Sequence, residues 1–346
     1  MSSALVISGG GSKGAFAVGV LKDLISKFPH LTFDVYVGTS AGALIVTLAS
    51  VGRFDELEQI YTTTSSTDIF DKFNIGDRLD QASLFDVTKT INLIKKHYPD
   101  ERFNELKQSS KKVFLTTTSL KTGMLTVFTN DATSINPKGY FVTETVNADH
   151  YRKAVLASSC VPVYMPPIRV NLGVPNIPDP QEQFVDGGVL EYVGIQMAID
   201  AGATEILAIL LSAEERQPEP ALFTTLFPVL ERTIDIFATD VGKNDLSLAQ
   251  SFNEALIYID AVKAKMLNAG LSEAQINDFF SIAEIDNPLE GKQPLKLFVI
   301  RPESFLGGGP GGLIFNPDEM KQMLAKGETQ ADKFIASLDP NEFPFA

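Results

Sequence analysis

The chain has 346 residues, 44% of them hydrophobic and 21% charged, a composition that supports a substantial core and excludes general disorder. Its 29 lysines and arginines face 43 aspartates and glutamates, a net charge of −14 that repels phosphate backbones and anionic bilayers and argues against nucleic acid as a partner. The single cysteine, Cys160, lies in the apolar stretch 154–167, so it forms no intramolecular disulfide and reads as a small buried hydrophobe.

Residues 4–8 form an apolar run that predicts a buried strand. This run is too short for the core of a secretory leader and has no basic residue before it. The longest apolar run nearby, 41–49, falls far short of the ~20 residues that span a bilayer. The expectation is a cytoplasmic protein whose membrane or micelle contact is peripheral. The turn Gly9-Gly10-Gly11-Ser12-Lys13-Gly14 follows, then helical spacing over 15–25. The pattern repeats as a strand over 32–37, the turn Gly38-Thr39-Ser40-Ala41-Gly42, and a buried helix over 43–50. Two such βα units predict an α/β fold of three layers, helices covering a mostly parallel sheet.

Residues 53–110 read as amphipathic helices, with Phe54, Leu57, Ile60 and Tyr61 on one stripe and Val87, Ile91, Ile94 and Tyr98 on another, as faces packed over the sheet. Strands are expected at 112–118 and 125–129, a helix at 151–158, and a proline-broken loop over 160–167. Gln183 to Val185 reads as a short strand at the sheet's edge, and 205–211 as another buried strand. A helical insertion spans roughly 231–285, with Phe252, Leu256, Ile259, Val262 and Met266 as its core face, and 295–300 is the last strand. After the glycines of 307–312, Asn316 caps a final helix with Pro317 behind it. The domain expectation is a catalytic unit over 1–302, with helical insertions at about 53–110 and 213–294, and an accessory helical tail over 303–346.

Gly38-Thr-Ser-Ala-Gly42 fits G-x-S-x-G, a tight strand-to-helix turn that presents a serine hydroxyl at a helix N-terminus. Serine needs a base. The three histidines, His30, His97 and His150, all precede Asp186, so a Ser, Asp, His order is absent, and His97 and His150 read as solvated positions. The remaining candidate is Asp186, followed by Gly187 and Gly188; an ordinary Asp-Gly turn is the competing reading. Gly9 to Gly14 offers unobstructed N–H groups for an oxyanion. It also satisfies G-x-G-x-x-G, with Asp34 twenty residues on, so a dinucleotide site is the alternative. No metal or cofactor constellation is seen.

Taken together, Gly9-Gly-Gly-Ser-Lys-Gly14, Gly38-Thr-Ser-Ala-Gly42, Asp186-Gly-Gly188 and the block Ala157-Ser-Ser-Cys-Val-Pro162 with Pro166 and Pro167 resemble the patatin-like phospholipase family, in its order, across residues 4–212. The resemblance implies a lipid acyl hydrolase of the phospholipase A or lysophospholipase kind. In it Ser40 is the nucleophile, Asp186 its base, and Gly10, Gly11 and Ser12 are backbone donors to the oxyanion. Lipid or acyl ester would be the partner. Catalytically silent acyl binding and acyl transfer remain as alternatives on the same fold. Two departures stand out: Lys13 replaces the commoner arginine, and Glu191-Tyr-Val-Gly194 replaces the commoner Asn-x-Pro.

Overall fold

The computed structural model describes residues 2–71, 80–135, 137, 139–172, 181–215, 222–282, 292–338 and 345. Among the described residues nine strands form one sheet: β1 Ser3–Ile7, β2 Val35–Gly38, β3 Lys112–Ser119, β4 Leu125–Thr129, β5 Phe141–Glu144, β6 Ile168–Asn171, β7 Gln181–Asp186, β8 Glu205–Ile209 and β9 Lys296–Ile300. The helices are α1 Gly14–Lys27, α2 Ala41–Ala49, α3 Phe54–Thr63, α4 Ser66–Ile69, α5 Thr88–His97, α6 Asp100–Gln108, α7 Ala148–Ser158, α8 Ile195–Asp200, α9 Leu226–Asn268, α10 Glu273–Phe280 and α11 Pro317–Ser337.

The order is β5-β4-β3-β2-β1-β8-β9, and β3, β2, β1, β8 and β9 are mutually parallel. Alternation along β1 explains the three layers. Leu5 and Ile7 enter one apolar core with α1, α2 and α7, while Ala4 and Val6 enter a second with α8. Both faces are therefore covered, as the near-continuous apolar strands require. β4 and β7 run antiparallel to β3, and β6 antiparallel to β7.

The expected edge position of the strand before Asp186 is not found: β7 pairs with both β3 and β6. The cause lies in β3, which is longer than its neighbour. β2 occupies one edge of β3 only from Lys112 to Leu115, and β7 takes the same edge from Thr117 to Ser119. The ends of β2 and β7 thus meet head to head, two residues apart along β3.

The long helix α9 begins earlier than the sequence pattern suggested, and its distal stripe is not a core face. Leu256 is buried, but Phe252 is exposed and Ile259, Val262 and Met266 are only partly covered. Its core contacts are made mainly by other residues: the half-buried Leu230 and Ile234 pack against the first core, and the buried Leu246 and Ala249 belong to the second. α9 therefore crosses from one side of the sheet to the other. Among the described residues no helix is long and apolar enough to cross a membrane.

Candidate active site

Ser40 sits where β2 ends and α2 begins, with φ 56° and ψ −121°, a backbone conformation rare for a residue with a Cβ. Close packing forces this turn. A Cβ on Gly42 would lie 2.0 Å from the Ile7 carbonyl oxygen, and one on Gly38 2.5 Å from the Gly42 carbonyl. The turn is pinned by the Thr39 N–H donating to Ile7 O at 3.2 Å and the Gly42 N–H to Thr39 O at 2.8 Å. Ser40 is 7% exposed.

Asp186 ends β7 and is 5% exposed. Its carboxylate accepts the Gly188 N–H at 2.8 Å and is hydrogen-bonded by the Ser40 side chain. Burial is the largest influence on it and raises its pKa to about 6, against the lowering effects of the Ser40 and Gly188 bonds. Such a carboxyl is ionised at neutral pH yet far more basic than an exposed aspartate. Asp186 and Ser40 meet because their strands meet along β3. Thr116, in the gap between the two pairings, donates to the Thr39 hydroxyl at 2.7 Å, and a Cβ on Gly187 would lie 2.1 Å from the Thr116 Oγ1.

The glycine turn passes beside Ser40, since a Cβ on Gly9 would fall 3.2 Å from the Ser40 Cβ. Three of its N–H groups are spent: Gly9 donates to Tyr192 O, Lys13 to Gly10 O, and Gly14 to Gly11 O and Ser12 O. The N–H groups of Gly10 and Gly11 have no hydrogen-bond partner among the described residues, and Gly11 holds φ 56°, which favours glycine. Gly10 lines one cavity at Ser40 and Gly11 the other. The Ser12 hydroxyl is buried without a hydrogen-bond partner among the described residues. The Lys13 side chain points away, to Asp235 of α9 at 3.8 Å and over the Phe305 ring at 5.1 Å, and burial lowers its pKa.

The patatin-like phospholipase family model matches residues 5–199. This chain belongs to that family. A cUMP-AMP-activated phospholipase from Escherichia coli is 37% identical over 62 residues, 17% of this chain and 19% of the relative, so the match spans about a fifth of that protein's length. VipD from Legionella pneumophila, a solved structure, has a TM-score of 0.47 at 15% identity, over 97% of this chain and 67% of that one.

In this patatin-like chain the Ala157-to-Pro162 block has a physical role that its pattern alone did not reveal. The Ser158 hydroxyl accepts the Ser40 N–H at 3.1 Å, and the Cys160 carbonyl accepts the Asp186 N–H at 2.9 Å. One short segment thus positions both residues. Cys160 itself is buried, and burial pushes its thiol pKa up.

Glu191-Tyr-Val-Gly194, the departure from the usual pattern, ties the site to α9. The Tyr192 ring fills the space beside three glycines, Gly9, Gly188 and Gly242, where a Cβ would approach it to 2.8, 2.9 and 2.8 Å. Asp245 of α9 accepts the N–H groups of Tyr192 and Val193 at 2.9 and 3.1 Å. The Glu191 carboxyl, raised by burial and by the neighbouring Asp245 charge, accepts the Gly194 N–H at 2.8 Å and is hydrogen-bonded to Asp245.

Two cavities open on Ser40. The first is apolar, walled by α2, α3, α5 and α7, and includes Leu57, Ile60, Tyr61, Ile94 and Tyr98, so both stripes expected to be core faces also line a chamber. The second lies under α9, between Asp186, Tyr192, Ile234 and Phe237, with a volume near 470 Å³. The histidines differ from expectation. His150 is buried against Phe128 and its pKa is lowered by burial, while His97 pairs with Glu56 at the far wall of the first cavity. Asp34 lies at the amino end of β2 with its carboxylate bonded to the Ser3 N–H at 2.9 Å, not at the carboxyl ends where a ribose would be held.

Proposed function

We propose that the chain hydrolyses lipid acyl esters through an acyl-Ser40 intermediate, with Asp186 as general base. The observation that carries this reading is the buried Ser40–Asp186 pair with the raised carboxyl, set between two cavities. Asp186 takes the Ser40 proton as the oxygen attacks the ester carbonyl, and returns it to the departing alkoxide. The N–H groups of Gly10 and Gly11, with that of Ser12, receive the oxyanion, whose charge fixed donors stabilise without reorganisation. The acyl chain occupies the apolar cavity of α2, α3, α5 and α7, which gives the bound ester more buried contact than a short soluble ester could use. Water then repeats the sequence on the acyl-enzyme.

A fluorophosphonate probe is expected to label wild type at Ser40 and not Ser40→Ala. Turnover of a phospholipid and lysophospholipid panel, read by product analysis, is expected to fall by about 10³-fold or more in Ser40→Ala and Asp186→Asn. Lipid binding without turnover in wild type would instead favour a silent acyl-binding protein, and acylated alcohols among the products would favour acyl transfer.

A further inference from the structure

The cavity under α9 is flanked by large apolar side chains that are exposed among the described residues. Leu226 and Phe237 of α9 are 74% and 65% exposed; eleven residues apart, they lie within about 20° of one another around the helix and form one stripe. Val163 adjoins Pro162, and Leu190 adjoins Val189, two residues of the cavity wall. Phe305 stacks over Lys13, whose partner Asp235 is also in that wall, and Ile314 belongs to the segment whose Gly311 lines both cavities at Ser40. Five separate chain segments thus carry exposed apolar groups that line the cavity, adjoin its wall in sequence or touch residues linked to it, where isolated exposed residues would be unremarkable.

Val163 adds an independent observation. It has φ 73°, a costly conformation for a β-branched residue, fixed because its carbonyl accepts the Leu84 N–H at 2.9 Å while the Tyr164 carbonyl accepts the Phe85 N–H at 2.8 Å. The result buries Tyr164 and Met165 and turns Val163 outward, about half exposed. A strained backbone that ends in a solvated valine is paired here with the very opening that leads to Ser40.

We propose that this apolar flank is a docking surface for a zwitterionic lipid interface, and that Ser40 draws its substrate from that interface rather than from solution. The inference rests on the hydrolase reading above. The occupant follows from charge: the cations at the opening, Lys13 and Arg232, are both engaged by Asp235, at 3.8 and 3.0 Å, and the chain carries −14 overall. An anionic surface would be repelled, whereas a neutral one of choline headgroups admits apolar side chains without that penalty.

The chain has no tryptophan, so a single introduced indole reports its own surroundings. In a Ser40→Ala background, which separates binding from turnover, Leu226→Trp is expected to shift its emission to the blue on phosphatidylcholine vesicles. Leu267→Trp, at the other end of α9 and roughly 60 Å away, is expected to stay unshifted. The shift should persist at about 0.5 M NaCl, where surface electrostatics are screened. In the native Ser40 chain, Leu190→Ser, Leu226→Ser and Ile314→Ser combined should lower vesicle partitioning by about tenfold or more. Turnover of a soluble short-chain ester should stay within about twofold, because none of the three lines either cavity at Ser40. Equal shifts at both tryptophans, no shift at Leu226→Trp, unchanged partitioning of the triple variant, or binding to phosphatidylglycerol alone that salt abolishes would each overturn the docking surface. Failure of wild type to turn over the soluble ester overturns the hydrolase reading and leaves the vesicle result standing on its own.

Discussion

Burial that lifts the Asp186 carboxyl to about 6 serves the base and burdens the fold at once. Its folded pKa lies above the unfolded value near 4, so its contribution to stability is present below pH 4 and is lost as pH rises through about 6. At pH 7 the buried charge therefore costs free energy, at most about 3 kcal/mol for a shift of this size. Asp186→Asn keeps an acceptor for the Gly188 N–H and removes the charge. It is expected to melt higher than wild type at pH 7 to 8 and equal to it near pH 4, while losing turnover. A melting difference independent of pH would contradict this origin. Catalysis has the opposite sign: only the ionised carboxyl accepts the Ser40 proton, so wild-type kcat/KM should climb as pH rises through about 6.

Elements meet at this site in a way that was only partly legible beforehand. The two glycine elbows, the parallel strands and Asp186 could be read because each is a local pattern: an apolar run, then residues without Cβ where backbones approach. The head-to-head meeting of β2 and β7 could not, since it depends on how far β3 extends past Leu115 and on the partner strand β6, whose four residues are too short a run to announce a strand. Nor could α9's place over the cavity be read, because helical spacing does not say which face finds the sheet. The link that holds it is the carboxyl pair of Glu191 and Asp245, sharing a proton beside the loop that follows Asp186. Both pKa values are raised by burial first, so the pair's stabilisation is full at acid pH and fades as the shared proton is lost with rising pH. Glu191→Gln is expected to retain the donor to Asp245 and to flatten the alkaline decline in melting temperature. Leu226→Trp in the same background would report whether α9 loosens as wild type loses that proton.

At the scale of the whole molecule, the segment after β9 belongs to the architecture of the site. Gly311, Leu313, Phe315 and Met320 line the apolar cavity, and α11 lies against α1 through two glycines. A Cβ on Gly19 would fall 2.0 Å from the Leu324 carbonyl oxygen, and one on Gly327 2.1 Å from the Phe16 carbonyl oxygen. Both obstacles are backbone, so neither can swing aside as a side chain would. Gly327→Ala must therefore push the two helices apart, an overpacking expected to cost about 1–3 kcal/mol. Gly202→Ala, at φ 84° with open space around it, strains only its own backbone and is the matched control at about 1 kcal/mol. Because α11 carries Met320 into the cavity wall, Gly327→Ala should also weaken turnover of long-chain esters more than short-chain ones, a split that simple loss of folded enzyme cannot produce. An equal loss on both chain lengths would mean that the tail serves stability alone.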